Sequence, residues 1–181
     1  MVTHIAFLRA VNVAGHAVVK MERLKKAFEA AGCMNVRTVL QSGNVLYERA
    51  SANSVVFKRG VLAALSEILG AQVMAAFRTL TDLRSLAGAD PFSERRPGAE
   101  DKLYAAFLVR KPSMVPDFPL RMEKEGLEVI GMKGLDVFIV SRKVKERYGF
   151  PNIFIEKYFG APATTRNWNT VVKIMEFAKG D

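Results

Sequence analysis

The sequence has very few of the side chains that bind metals or form disulfides. Its 181 residues contain one cysteine, Cys33, and two histidines, His4 and His16. A single cysteine cannot form an internal disulfide, and so small a set of ligands argues against a zinc site, so we expect no metal and no cofactor. We interpret Cys33 as a small buried apolar residue rather than a nucleophile, and the histidines as a strand residue and a loop residue rather than a catalytic pair.

Long apolar runs and a leader segment are missing as well. No stretch approaches the roughly 20 apolar residues that a membrane-spanning helix needs, and the first residues run directly into a strand pattern without the basic segment of a signal peptide. These absences predict a cytoplasmic protein without a membrane partner. Hydrophobic residues make up 50% of the chain and charged residues 25%, which predicts one compact body that folds without a partner. The oligomeric state does not follow from the sequence.

The common catalytic motifs are absent too. The chain has no phosphate-binding GxxxxGK loop, no dinucleotide-binding GxGxxG, no HExxH and no nucleophile-elbow GxSxG. These absences argue against the common NTP-dependent enzymes and hydrolases. An enzyme stays among the alternatives, but no side chain stands out as its base.

What the chain does have is basic charge. Its net charge is +9, and clustered Lys and Arg attract phosphate through counterion release. The excess is divided almost evenly between residues 1–90 and 91–181, so no basic tail or basic domain stands out. The densest run, residues 142–147 (RKVKER), fits either a solvated surface or a phosphate-binding patch. We therefore expect any binding to nucleic acid to be weak and independent of base sequence.

Hydrophobic periodicity predicts the element order βαββαβα for the first half of the chain. Residues 41–44 (QSGN) separate the second and third strands as a polar kink or tight turn. Asn53 and Ser54 are cap candidates for the second helix. The predicted strands cover residues 4–9, 36–40, 45–48 and 72–78, and the predicted helices cover 20–31, 55–69 and 79–88.

Residues 90–101, with two prolines and a glycine, are the most linker-like segment, so we predict halves at 1–89 and 90–181. In the second half we predict a strand over 103–109, a hairpin of 128–132 and 135–140, and helices over 120–124, 153–159 and 167–179. The expected fold is α+β, with two similar ferredoxin-like halves that each contain a βαβ unit and pack as one compact body.

The stretch from 161 to 170 (APATTRNWNT) opens the last predicted helix. Trp168 begins the apolar face of that helix, so we expect it to pack on the core. Thr164, Thr165 or Asn167 can cap the helix, and the first-turn amides, the helix dipole and Arg166 favour an anion. The alternative is a structural network in which these amides are simply capped and Arg166 pairs with an internal carboxylate.

The turn at residues 41–44 has the same polar character. Gly43 permits a positive φ or a close backbone approach, and a tight turn explains Asn44 better than it explains Gln41. Arg9 and Asn12 directly follow the first strand and could point at the same edge.

We therefore predict a polar site between the halves that binds an anionic, phosphate-bearing small molecule or nucleic acid. The alternative is a structural or interaction protein whose polar network only braces the fold. The predicted ligand-binding residues are Arg9, Asn12, Gln41, Ser42, Asn44, Thr164, Thr165, Arg166 and Asn167.

Three ordered motifs resemble the bacterial domain of unknown function 1697 family. They are residues 7–13 (FLRAVNV), residues 40–45 (LQSGNV) and residues 163–171 (ATTRNWNTV). The resemblance extends over nearly the whole chain and implies a compact α+β fold of two similar halves, but no activity, because the family is uncharacterised. Ala10 and Ala14 stand where the family commonly has glycine, which disfavours a close backbone approach to a ligand at this motif.

Overall fold

The computed structural model of the protein describes residues 1–9, 20–40, 42–50, 53–95 and 97–179. Among these residues are five α-helices and antiparallel sheets, so the fold is mixed α and β. The chain divides into two compact units. The first contains Met1–Leu83 together with the last residues from Phe177, and the second contains Arg84–Glu176.

The first seven regular elements follow the predicted order βαββαβα, which is thereby confirmed. The four strands form one antiparallel sheet in the order β2-β3-β1-β4. The elements are β1 Val2–Leu8, α1 Met21–Ala30, β2 Met34–Val39, β3 Asn44–Arg49, α2 Val55–Leu69, β4 Ala75–Thr79 and α3 Leu80–Gly88.

Local signals explain why α2 begins and ends where the sequence predicts. The Ser54 hydroxyl accepts a hydrogen bond from the Phe57 amide at 3.1 Å, which satisfies one of the unpaired amides of the first turn. Gly70 ends the helix in the left-handed conformation, with φ of 64°. The apolar face of α2 then joins a core on one side of the sheet, which includes Leu24, Phe28, Tyr47, Phe57, Val61 and Leu65.

The second unit is built on a five-stranded antiparallel sheet in the order β11-β5-β8-β7-β6. The predicted hairpin is confirmed as β7 and β8, and the predicted helix over 153–159 is confirmed as α4. The elements are β5 Lys102–Leu108, β6 Leu120–Met122, β7 Leu127–Lys133, β8 Asp136–Ser141, β9 Lys143–Val144, β10 Arg147–Tyr148, α4 Asn152–Phe159, β11 Ala163–Asn167 and α5 Trp168–Phe177.

Two predictions in this unit were wrong. Residues 120–124 form strand β6 followed by a short 3-10 helix, Glu123–Glu125, and no α-helix. Residues 163–167, where the cap of the last helix was predicted, form strand β11, and the helix begins at Trp168, one residue after its predicted start. Both segments are short strands whose backbone groups pair with a neighbouring strand, β7 for β6 and β5 for β11, and such pairing overrides local propensity.

Alternation along these strands separates two sides of the second sheet. Every second residue of these strands packs against the inner face of α4. Together they form an apolar core that includes Leu108, Leu127, Val129, Ile139, Ile155 and Phe159. Successive side chains of a strand point to opposite faces. The other face therefore receives Glu128 of β7, Phe138 of β8, and Thr164 and Arg166 of β11.

Candidate functional site

The polar turn between β2 and β3 is held together by Asn44. This side chain is fully buried, and its Nδ2 donates to the Val39 carbonyl at 3.0 Å and to the Ser42 hydroxyl at 2.8 Å. Gly43 has φ of 71°, as the predicted tight turn requires. These bonds give Asn44 and Ser42 a structural role in the hairpin.

Arg9 lies beside this turn. The Leu8 amide donates to the Gly43 carbonyl at 2.8 Å, and the Arg9 amide donates to the Met74 carbonyl at 2.8 Å. The end of β1 therefore meets both the turn before β3 and the segment before β4, which brings Arg9, Ser42 and Asn44 to one end of the first sheet. Asn12 and Gln41, with Ala10, Ala14 and His16, lie outside the described residues.

The threonine-rich stretch presents its side chains from β11. Thr164 is buried, and its hydroxyl accepts a hydrogen bond from Nη1 of Arg166 at 2.8 Å. The same Nη1 donates to the Thr165 carbonyl at 2.9 Å. On the opposite face, the Thr165 hydroxyl donates to Oδ1 of Asn152 in α4 at 3.0 Å.

Of the residues predicted to form the N-terminus of the last helix, only Asn167 has that role. Asn167 precedes α5, and its Oδ1 accepts from the Asn169 amide at 2.9 Å, which caps the helix. Thr164, Thr165 and Arg166 belong to a strand, where the free amides and the dipole of the first helical turn do not act on them. The prediction that Arg166 lies at a helix N-terminus was therefore wrong, whereas its contact with an anion stays a prediction.

Arg166 is nonetheless an unusual cation. Burial lowers the pKa of its guanidinium to about 10, because removal from water disfavours the charged form. It still carries its charge at neutral pH. A charge in such surroundings interacts more strongly with other charges than one on an exposed side chain.

The two groups of predicted residues belong to different units. Arg9, Ser42 and Asn44 lie in the first, and Thr164 to Asn167 lie in the second. That both groups contact one ligand stays a prediction.

Trp168, at the start of α5, has a packing role as predicted. It is partly buried, and its ring meets Phe92 edge to face with centroids 5.3 Å apart. A similar contact with Phe138 has a centroid distance of 6.3 Å. Such arrangements are favourable for aromatic rings.

Cys33 and His4 are both buried. Burial raises the pKa of the Cys33 thiol to about 11, so the thiol stays protonated and the interpretation as a buried apolar residue holds. His4 stacks on Tyr47 with centroids 5.4 Å apart, and its Nδ1 lies 3.1 Å from Nδ2 of Asn53. The amide nitrogen can only donate, so Nδ1 accepts and the proton of the neutral ring is on Nε2.

A cluster around Glu128 was missed by the sequence analysis. This side chain is only 5% exposed, and its Oε1 lies 3.2 Å from Nε of Arg121 and 3.6 Å from Nη1 of Arg95. Its Oε2 accepts from Nη1 of Arg142 at 2.8 Å. Nε of Arg142 also lies 3.7 Å from Oδ2 of Asp101.

The arginines keep Glu128 ionised. Burial alone would raise the pKa of the Glu128 carboxyl, but hydrogen bonds from Arg142 and Arg121 outweigh it, and the pKa lies below its usual value. Two signals were available in the sequence: Glu128 is a charge between two apolar strand residues, and Arg142 begins the basic run at 142–147. Neither identifies the partners.

The family model described as "Protein of unknown function (DUF1697)" matches residues 1–138. The chain belongs to this family. Of the three motifs that carry the resemblance, the first two lie within the matched residues, and the third lies beyond them. The match assigns no activity, because the DUF1697 family is defined as one of unknown function.

Among solved structures, the chain is similar to the conserved bacterial protein SP0830 from Streptococcus pneumoniae. The TM-score is 0.65 at 16% sequence identity, and the alignment covers 97% of each chain. At this identity the likeness concerns the fold alone. No curated protein matches this member of the DUF1697 family. Within the described ranges, no helix is both long and apolar enough to cross a membrane.

Proposed function

We propose that the protein binds a ligand with an anionic, phosphate-type group, and that Arg166 supplies the positive charge. The observation that carries this proposal is the position of Arg166. Its guanidinium is partly buried, and neutral oxygens of its own strand, the Thr164 hydroxyl and the Thr165 carbonyl, hold it in place.

An oxyanion would gain from such a cation in two ways. The charges attract more strongly away from bulk water, and the planar guanidinium can donate two parallel hydrogen bonds to a phosphate. Little side-chain entropy is lost on binding, because Arg166 is already held by hydrogen bonds. The net charge of +9 adds a general attraction for anions.

The proposed ligand contacts include the remaining predicted residues. Thr164 and Thr165 offer hydroxyls and Asn167 an amide, although each already bonds within the second unit. In the first unit the proposed contacts are Arg9, Asn12, Gln41, Ser42 and Asn44.

A specific observation favours the alternative, a scaffold without a ligand. The amide of Asn44 is used within its own hairpin, and Arg166 bonds to its own strand. In that case the polar residues only stabilise the fold, and the protein serves as a structural or interaction module.

Thermal melts of the parent and of Arg166→Gln, with and without phosphate, separate these functions. Phosphate at ten times its dissociation constant stabilises a folded protein by about 1.4 kcal/mol, which corresponds to a rise of about 3–6 °C in Tm for a chain of this size. We expect this rise in the parent and a clearly smaller rise in Arg166→Gln.

Arg84→Gln is the matched control, because it removes one positive charge from an exposed position in α3. It should keep the full response to phosphate. A parent that no anion stabilises, together with an Arg166→Gln variant that melts far lower, would contradict the ligand proposal and leave the scaffold function.

We also infer that the two units share one ferredoxin-like strand order. If the four main strands of each sheet are numbered in chain order, leaving out the short β6, both sheets have the spatial order 4-1-3-2. This order is β4-β1-β3-β2 in the first sheet and β11-β5-β8-β7 in the second. Strand β6 then extends the second sheet by one short strand. This shared order supports the expectation of two similar halves.

A further inference from the structure

We propose that Arg95, Arg121 and Arg142 form a binding site for a phosphate monoester, assembled on the buried carboxylate of Glu128. This site lies within the second unit and does not depend on Arg166. The ligand would be a small molecule that carries a doubly charged phosphate group.

The charge of the cluster is out of balance. Three guanidinium groups approach one carboxylate, at 2.8, 3.2 and 3.6 Å, so the group of four carries a net charge of +2. Asp101, 3.7 Å from Arg142, offsets part of this excess. One arginine would neutralise Glu128, so the additional arginines leave positive charge for an outside anion.

The carboxylate and the guanidinium groups differ sharply in exposure. The Glu128 side chain is 5% exposed, whereas those of Arg95, Arg142 and Arg121 are 34%, 46% and 61% exposed. Each guanidinium has five N–H donors, and Glu128 has only two oxygens to accept them. Donors therefore remain accessible to solvent while the buried carboxylate holds the three groups close together.

The backbone keeps the cluster in place. Arg121 pairs with Glu128 directly across β6 and β7, and Arg95 ends the short 3-10 helix Ser93–Arg95. The Arg142 amide donates to the Gly126 carbonyl at 2.7 Å. Gly126 has φ of 65°, and a Cβ there would collide with the Arg142 carbonyl oxygen, so this approach requires glycine. Sites on such strands and turns are preorganised, which lowers the cost of binding.

The chemistry favours a phosphate monoester over a nucleic-acid backbone. A monoester is close to a dianion at neutral pH, because its second pKa is about 6, and it has three terminal oxygens to accept bonds from several guanidinium groups. A phosphodiester carries one charge and two such oxygens. The excess is +2 for the three arginines with Glu128 and +1 when Asp101 is included, and in both cases it attracts a dianion more strongly than a monoanion.

The decisive measurement is NMR of the arginine Nε–Hε groups in the intact chain, at constant ionic strength maintained with chloride. The probes are inorganic phosphate, phenyl phosphate as monoester and dimethyl phosphate as diester. Signals are assigned from their loss in Arg95→Gln, Arg121→Gln and Arg142→Gln. We expect phosphate and phenyl phosphate to shift all three signals along one saturation curve, and dimethyl phosphate to bind at least about tenfold more weakly, because a hydrogen bond to a charged group contributes at least about a factor of ten.

Variants then separate this site from Arg166. Arg121 is mostly exposed, so Arg121→Gln should fold like the parent, as far-UV circular dichroism will verify. We expect the phosphate dissociation constant read at the Arg95 and Arg142 signals to rise about 10–100-fold in this variant, as for loss of hydrogen bonds to a charged group. Arg121→Lys keeps the charge but loses the planar fork, and should also weaken binding. Arg84→Gln should leave it unchanged.

Three results would overturn the proposal: signals that phosphate does not move, equal binding of the diester, or an Arg84→Gln variant that loses as much affinity as Arg121→Gln. Weaker phosphate binding at these signals in Arg121→Gln supports the arginine cluster, whether or not the rise in Tm with phosphate depends on Arg166. A rise in Tm with phosphate that depends on Arg166, together with arginine signals that phosphate does not move, supports the Arg166 proposal alone.

Discussion

His4 shows how one buried polar side chain can make stability depend on pH. The residue is only 2% exposed, and within the described part of the chain its Nε2 makes no hydrogen bond. Burial, and then the charges of Arg49 and Lys58, lower its pKa, while Asp82 acts in the opposite direction. The folded protein therefore favours the neutral ring.

We predict that the free energy of unfolding falls as the pH is lowered from 7.5 to 5.5. Because the pKa is lower in the folded state, the unfolded chain binds a proton first, at its ordinary value of about 6.5, so the stabilisation is complete above that pH and is lost below it. Urea unfolding at several pH values measures this.

The matched variant is His4→Gln, which keeps an acceptor for Asn53 but does not titrate. Its free energy of unfolding should change less over the same interval. Equal slopes for parent and variant would mean that His4 does not cause the effect.

The limits of prediction at this scale follow from the range of the interactions. Ser54, Asn44 and Asn167 bond to residues within five positions, so their types and spacing already indicated turns and caps. The partners of Glu128 come from separate elements, and no local pattern connects them. Arg166 was predicted to lie at a helix N-terminus because the strand around it was not recognised.

At the scale of elements, a helix or strand was predicted when the contacts that stabilise it are local in the sequence. Helices α2 and α4 and the hairpin of β7 and β8 have caps, turns or periodicity in their own sequences, and all were predicted. Strands β6 and β11 are three and five residues long, and pairing with β7 and β5 defines them. Such strands are recognised only when the partner strand is known.

Gly126 provides a test of how closely two elements approach. We predict that Gly126→Ala lowers the free energy of unfolding by more than about 2 kcal/mol, because a positive φ and a backbone collision act together. The collision would also displace Arg142 from Glu128. Denaturant unfolding measures the loss.

Gly134→Ala is the matched control, because Gly134 has a similar φ of 63°, but among the described residues no atom other than those of its chain neighbours would lie within 4 Å of a Cβ. The Gly134→Ala variant measures the cost of a positive φ without a collision, which is about 1–2 kcal/mol. If both variants lose the same free energy, the close approach at Gly126 does not contribute to stability.

At the scale of the whole molecule, charge is the dominant property. A net charge of +9 without a basic tail should produce electrostatic attraction to nucleic acids without base recognition. We predict dissociation constants of about 10⁻⁴–10⁻⁶ M at physiological salt, as is typical of non-specific binding.

Fluorescence anisotropy with labelled single strands of several sequences, each titrated with salt, tests this prediction. The affinity should fall steeply as salt rises and should be similar for all sequences. Tight binding that survives several-fold higher salt and prefers one sequence would require base readout, which this prediction excludes.

The edge of the second sheet bears on how the protein behaves in concentrated solution. Among the residues that the structure describes, strand β6 pairs with 127–129 alone, so the rest of β7 extends beyond it. A flat exposed edge of this kind would recruit strands from other molecules. Here the pairing of β7 with β8 shifts register between Val129 and Gly131, and β7 ends at the charged Lys133. A bulge and a lysine both hinder the addition of a foreign strand, so this edge should resist the intermolecular β-pairing that leads to aggregates.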